Sequence, residues 1–208
     1  MPPFESGESG HWKSGVRGFG LLFRPEKLDM FKFLLLLTVI LCSVTVLPKL
    51  TAAAPLVDPT SKMSSAQFEA NLPRMHPAVY YQYAQRLFDE GRRDDAVFWF
   101  YVGQLRYRFY LSANPTLPDS DPALFVSLNA TVGQEINEYA GGAPATWIAA
   151  IDRALAWDMT SPNYFTSKEH FHKEYIVVRS GLIELKKMIQ SQAQEIRTQR
   201  TKSGLPNR

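Results

Sequence analysis

Apolar side chains recur at helical spacing along most of the chain after residue 74. The first run begins at Pro77, a residue favoured in the first turn of a helix, and ends at Gly91, a residue typical of helix C-termini. A second run begins near Asp94, whose negative charge suits a helix N-terminus, and ends near Ala113. These runs predict two helices joined by a short turn, which would pack as an antiparallel hairpin.

Three further helices are predicted beyond this hairpin. Their expected ranges are Pro122 to Tyr139, Pro144 to Asp158, and Lys168 to Arg200, with Gly181 as a point at which the last could bend. Thr166 and Glu169 have the spacing of a capping box for the last helix. No segment alternates in the pattern of a strand. The predicted fold class is therefore all-α, a bundle of about five helices that follows an N-terminal hydrophobic segment.

A hydrophobic run of 15 residues without a charge extends from Phe33 to Leu47. Lys32 precedes it, and small residues up to Ala54 follow it, which is the pattern of a secretory signal peptide cleaved near Ala53 or Ala54. A bilayer-spanning helix needs roughly 20 apolar residues, so the run is short for a permanent membrane anchor. A cleaved signal is favoured, and an uncleaved anchor is the alternative.

These patterns divide the chain into five parts. Residues 1–29 are Gly- and Ser-rich, so they are either disordered or an extension ahead of a true start at Met30. The predicted order is then a signal peptide or membrane anchor at 30–54, a linker at 55–74, a helical domain at 75–200 and a disordered tail at 201–208.

Charge and cysteine content exclude several classes of function. The 208-residue chain has a net charge of +3, but residues 55–208 carry 17 Lys and Arg against 16 Asp and Glu. Nucleic-acid binding is not expected, because it needs a clustered basic surface. The single Cys42 lies in the hydrophobic run, which excludes an internal disulfide framework, a four-cysteine zinc site and a cysteine nucleophile in the processed chain. The sequence indicates no cofactor.

Eight positions of the predicted hairpin have the spacing of a helix–turn–helix repeat: Tyr80, Tyr83, Ala84, Leu87, Gly91, Ala96, Phe100 and Gly103. On these positions the hairpin, residues 77–108, resembles the tetratricopeptide superfamily, including its shorter Sel-like branch. The resemblance implies a protein-binding unit that uses the exposed face of its first helix, which here carries Tyr81, Gln85, Phe88 and Asp89.

Aromatic residues are concentrated in this hairpin, with 11 of the chain's 26 between residues 80 and 110. Either the second helix is the buried centre of the bundle, or some of these rings form a surface for a partner. For such a surface, Arg106, Tyr107 and Tyr110 are second candidates, because Arg and Tyr are favoured at interfaces.

The only cluster that suggests enzyme chemistry is Glu169 to Glu174. Glu169 and His172 share a helix face and could bind a metal with His76, although an exposed, salt-bridged first turn is the simpler interpretation. The leading hypothesis is an exported, non-enzymatic protein that binds another protein in the periplasm or cell envelope, as an immunity- or adaptor-type module. The alternatives are a metal-dependent or hydrolytic envelope enzyme and a membrane-anchored scaffold, whose only membrane contact would be an uncleaved 33–47 segment.

Overall fold

The computed structural model describes residues 64–208. The predicted extension at 1–29, the signal peptide or anchor at 30–54 and the first part of the linker lie outside the described residues. The described part is all-helical and contains no strand, which confirms the all-α prediction.

The helices, numbered in chain order, begin and end as follows: α1 Ser65–Asn71, α2 Ala78–Asp89, α3 Arg93–Ala113, α4 Ser120–Ala130, α5 Val132–Gly141, α6 Pro144–Thr160, α7 His172–Ser191 and α8 Ala193–Lys202. A short 3₁₀ helix, Leu72–Arg74, follows α1. None of these helices combines the length and the apolar character needed to cross a bilayer.

Residues 64–74, expected to belong to a linker, form α1 and the 3₁₀ helix instead. Ser64 and Gln67 make a capping box, in which the Gln67 N–H donates to Ser64 Oγ at 3.3 Å. Phe68 and Leu72, four residues apart, are buried on one helix face, and the Phe68 ring lies 4.7 Å from that of Tyr83. The Ser-rich composition suggested a linker. The capping box of Ser64 and Gln67 and the four-residue spacing of Phe68 and Leu72 instead favour a helix that packs on the bundle.

Helices α2 and α3 pack as the predicted antiparallel hairpin. Gly91 in the turn adopts a φ of +82°, which glycine tolerates and other residues rarely do. A Cβ atom at Gly103 would lie 2.8 Å from Tyr80 Cβ, so the small residue permits the close approach of the two helices. Membership of the tetratricopeptide superfamily stays a prediction.

Helix α3 lies at the centre of the bundle, in contact with α2, α4, α5, α6 and α7. Its central position explains the concentration of aromatic residues, because most rings between residues 80 and 110 are buried and only Phe88 and Tyr110 are half-buried. The buried rings are Tyr80, Tyr81, Tyr83, Phe98, Trp99, Phe100, Tyr101, Tyr107 and Phe109.

Two predicted helices are each divided in two. The third predicted helix breaks at Thr131, whose Oγ1 donates to the Ser127 carbonyl at 2.9 Å: α4 ends at Ala130 and α5 begins at Val132. The last begins at His172 rather than Lys168 and breaks at Gln192, not at Gly181. Neither break has the glycine or proline that signals a helix end in a sequence.

Residues 201–208, expected to be a disordered tail, continue α8 to Lys202 and then contact the bundle. The Arg208 N–H donates to the Gly142 carbonyl at 2.7 Å. The segment is ordered because Arg200 of α8 donates to the Pro206 carbonyl and the glycine pair 141–142 leaves space for it.

Candidate functional site

Helices α4 and α5 pack against the α2 face that the tetratricopeptide resemblance assigned to a partner. Tyr81, expected to be exposed, is fully buried against Phe100, with ring centroids 5.4 Å apart. Burial raises the pKa of the Tyr81 hydroxyl far above its ordinary value. The expectation of an exposed Tyr81 was wrong because the helices after the hairpin cover this face.

The other predicted residues of α2 lie at the edge of that contact. Gln85 Nε2 donates to Asp89 Oδ1 at 3.0 Å and to Glu135 Oε2 at 3.3 Å. The half-buried Phe88 ring lies edge-on to Tyr139, 5.7 Å away. The structure therefore brings Gln85, Phe88 and Asp89 together at a partly covered surface.

The second predicted set, Arg106, Tyr107 and Tyr110, does not form a surface. Arg106 and Tyr107 are buried, and Tyr110 is half-buried. The Tyr107 hydroxyl donates to the Asp121 main-chain carbonyl at 3.1 Å, and burial raises the pKa of Tyr107 to about 12. Arg and Tyr are frequent at interfaces, but here the central position of α3 places them in the core.

The predicted metal ligands are not brought together. Glu169 and His172 are exposed, whereas His76 Nδ1 accepts from the Ala78 N–H at 3.2 Å and His76 Nε2 lies 3.5 Å from Asp121 Oδ1. Among residues 64–208, no three His, Cys, Asp or Glu side chains are close enough to hold a metal ion.

A buried polar cluster surrounds Asp158 of α6, which we call the Asp158 cluster. Its members besides Asp158 are Arg106, Lys168, Tyr175 and Arg179. Asp158 Oδ1 accepts from Arg106 Nε at 3.0 Å, and Oδ2 accepts from the Tyr175 hydroxyl at 2.9 Å. Arg179 Nη1 and Lys168 Nζ lie 3.5 and 3.6 Å from Oδ2.

The cluster also fixes the loop between α6 and α7. Arg106 Nη2 donates to the Pro162 carbonyl at 2.9 Å, and Lys168 Nζ donates to the carbonyls of Asp158 and Ser161. Burial, and to a smaller extent the charges of Arg106 and Arg179, lower the pKa of Lys168. These polar groups are bonded within the protein, so the cluster is structural.

A groove of about 470 Å³ opens beside this cluster, lined by residues of α1, α3 and α6 and by Arg92 before α3. We call it the aromatic groove. Its floor consists of Phe98, Trp99 and Trp157, whose ring centroids lie 4.8 Å (Phe98–Trp99) and 5.1 Å (Trp99–Trp157) apart. Trp157 is held from behind by Arg106, whose guanidinium lies 4.7 Å from the centre of its ring. The floor is therefore fixed by the bundle core.

Charged side chains form the rim of the aromatic groove. Arg92 Nη2 donates to Asp95 Oδ2 at 2.9 Å, and this hydrogen bond is the main cause of a raised Arg92 pKa. Arg153 Nη2 lies 3.8 Å from Asp95 Oδ1, and its guanidinium stacks 4.8 Å from the centre of the Phe98 ring. Glu69 of α1 accepts from the Tyr83 hydroxyl at 2.7 Å. Two cations and two carboxylates give the rim no net charge.

The aromatic groove has the size of a ligand pocket. Ligand pockets have volumes of about 300–1,000 Å³ and combine aromatic walls with a few placed polar groups. Trp and Arg are also the residues most enriched where protein partners bind tightly. The sequence pattern does not indicate the groove, because Trp157 and Arg153 are more than 50 residues from Trp99. Two features of the sequence could have indicated the groove: the adjacent aromatic residues of α3 and the two tryptophans of α6.

Comparison with known proteins gives one relative. A protein of Haemophilus influenzae described as "Uncharacterized protein" is 33% identical over 96 residues, which are 45% of this chain and 37% of the relative. The chain thus matches little more than a third of that protein's length. No family model matches the chain, and no solved structure matches it.

Proposed function

We propose that this protein is an exported, non-enzymatic helical module that binds a segment of another protein in the aromatic groove. The observation that carries the proposal is a groove in which the partly exposed Trp157 lies beside the buried rings of Phe98 and Trp99 and is bordered by charged side chains. Its site of action is the periplasm or cell envelope, where it serves as an adaptor- or immunity-type module.

The rim indicates the chemistry of the bound segment. Because Arg92 and Arg153 balance Asp95 and Glu69, a strongly charged segment gains no net attraction. An uncharged segment with an apolar or aromatic side chain can bury that side chain against the partly exposed Trp157. Its main-chain amides can then hydrogen-bond to the rim, a division of roles common at protein interfaces.

Affinity capture with matched variants tests the groove. Ala156 is exposed on the groove wall, so Ala156→Arg places a long side chain over the floor without entering the core. Ala123→Arg makes the same change at an exposed position of α4. We expect Ala156→Arg to lose the protein that the unmodified chain captures, and Ala123→Arg to retain it. Equal capture by both variants would place the binding surface elsewhere.

The N-terminal segment 30–54 supports export, because it combines Lys32, a short apolar run and small residues before Pro55. N-terminal sequencing and intact mass of the native protein from fractionated cells test this part. A soluble exported form that starts at Ala54 or Pro55 is expected. A form in the membrane fraction that retains residues 33–47 would instead favour the membrane-anchored scaffold.

A further inference from the structure

The segment Ser203–Arg208, which we call the 203–208 segment, folds back onto the bundle after α8. Gly204 has a φ of +71°, and the Leu205 N–H donates to the Arg200 carbonyl at 2.9 Å. This combination is a common way to end a helix and reverse the chain. The reversal directs the segment toward the end of α5.

Arg200 of α8 holds the middle of the segment. Its Nη2 donates to the Pro206 carbonyl at 2.8 Å, and its Nη1 donates to the Glu138 carbonyl at 2.7 Å. The glycine pair 141–142 makes room for this contact, because a Cβ at Gly142 would lie 3.2 Å from the Pro206 oxygen. Glycine at positions 141 and 142 therefore leaves the space in which the 203–208 segment lies.

Arg208 binds in a small site of its own. Its guanidinium lies 3.5 Å from the centre of the Tyr139 ring, and Nη2 donates to the Tyr139 carbonyl at 2.9 Å. Arg208 also lines a small cavity with Asp94 and Trp147, and Asp94 accepts from the Tyr139 hydroxyl at 3.0 Å. An aromatic face, a carbonyl oxygen and a nearby carboxylate are the groups that recognise a guanidinium.

The contacts of the 203–208 segment are those of a bound ligand rather than of a core element. Apart from the half-buried Leu205, its residues are exposed, and it is held by hydrogen bonds and by the stacking of Arg208. Segments with few buried apolar contacts open at a low cost in free energy. The segment can therefore leave while the bundle remains folded.

We propose that Tyr139 and Asp94 form an arginine-recognition site, beside the Gly142 carbonyl, which accepts from the main-chain N–H of the arginine. The 203–208 segment occupies this site within its own chain. When the segment is released, the site accepts a peptide with the same sequence supplied from outside. This proposal is independent of the aromatic groove, although the first turn of α3 carries Asp94 to this site and Asp95 to the groove.

Fluorescence anisotropy of a labelled Ser-Gly-Leu-Pro-Asn-Arg peptide tests the proposal. Three proteins are compared: the unmodified chain, a chain ended after Leu205 and the full-length Arg208→Ala variant. We expect saturable binding to both altered chains and binding about tenfold weaker to the unmodified chain, whose own segment competes. The Arg208→Ala variant keeps the rest of the segment, so it shows whether the peptide binds once the Arg208 side chain is removed, even if the shortened chain does not fold.

Two controls test whether the guanidinium is recognised. A peptide with Lys in place of the final Arg keeps the charge but loses the planar group, so it should bind about tenfold more weakly to the altered chains. Tyr139→Leu, added to Arg208→Ala, should remove binding of the Arg peptide. Equal binding of the Arg and Lys peptides, equal binding to all chains, or no binding to either altered chain would overturn the proposal.

Discussion

Arg106 Nε lies 3.0 Å from Asp158 Oδ1, and both side chains are almost completely buried although 52 residues separate them. The pair joins α3 to α6 at the centre of the Asp158 cluster. Arg106 also donates from Nη1 to the Tyr80 hydroxyl at 2.8 Å, which extends the link to α2. One carboxylate thus compensates a buried guanidinium and the half-buried charges of Lys168 and Arg179.

Removing that carboxylate should strongly destabilise the fold. Asp158→Asn keeps the size of the side chain but leaves Arg106 buried without an anion. Breaking one partner of a buried ion pair costs about 3–5 kcal/mol, so we expect a loss of that order in the free energy of unfolding, measured by urea denaturation.

The matched control for this substitution is Asp152→Asn on the same helix. Asp152 pairs with Lys186 at 2.7 Å, but its side chain is 52% exposed. An exposed pair contributes about 0–1 kcal/mol, so the control should stay within that range. Similar losses for both variants would show that the Asp158 cluster does not have the structural role described above.

Tyrosine ionisation should weaken the fold at high pH. Burial is the main cause that raises the pKa of Tyr80 and of Tyr175 from 10 to about 12. Between these values the unfolded chain loses protons that the folded chain retains, so the free energy of unfolding should fall as the pH rises from 10 toward 12. Urea midpoints measured across this range test the prediction.

The titration of Lys168 changes the free energy of unfolding in the opposite direction. Its pKa is lowered by burial from 10.5, so the unfolded chain binds the proton more tightly and stability rises as the pH approaches 10.5.

Tyr175→Phe removes one tyrosine whose pKa is raised, so the free energy of unfolding of this variant should fall less steeply above pH 10. The same substitution at Tyr164, whose ring is 61% exposed, is the control. An unchanged slope in Tyr175→Phe would contradict the assignment.

The sequence predicted those parts of the fold that local signals determine. Pro77, Gly91 and Asp94 correctly marked the ends of α2 and α3, because caps and turns depend on adjacent residues. The density of aromatic residues correctly raised the possibility of a central α3. The breaks at Thr131 and Gln192 carried no such signal.

The candidate sites depend on contacts between distant segments and so escaped prediction. The aromatic groove needs Trp99 and Trp157, and the Asp158 cluster needs Arg106 beside Asp158. Tyr81 was predicted to be exposed but is buried, because helical spacing gives the face on which a residue lies but not which later helix covers that face. Tertiary packing, which the local sequence does not show, determines both the candidate sites and the burial of Tyr81.

Gly103 should not tolerate even a methyl group. A Cβ there would lie 2.8 Å from Tyr80 Cβ, and Tyr80 cannot shift freely because its hydroxyl accepts from Arg106. Overpacking a core typically costs about 1–3 kcal/mol, which exceeds the helix propensity gained by replacing glycine. We expect Gly103→Ala to lower the free energy of unfolding, whereas Gln82→Ala on the exposed side of α2 should be nearly neutral.

A substitution at Thr166 tests whether the last helix begins where the sequence predicts or where the structure places its start. As the capping residue of a T-x-x-E box, its hydroxyl would stabilise the helix, and Thr166→Val would cost about 1 kcal/mol. In the structure α7 begins at His172, and Thr166 Oγ1 is buried without a hydrogen-bond partner among the described residues.

The observed arrangement therefore predicts a different result for this substitution. Valine has nearly the same shape and removes a buried hydroxyl that makes no bond, so Thr166→Val should be neutral or stabilising by up to about 1 kcal/mol. Thermal and urea unfolding of the variant measure the difference. Ser64→Ala is the positive control, because Ser64 does accept the capping hydrogen bond of α1, and it should cost about 1 kcal/mol. A comparable loss in Thr166→Val would mean that the hydroxyl does cap a helix.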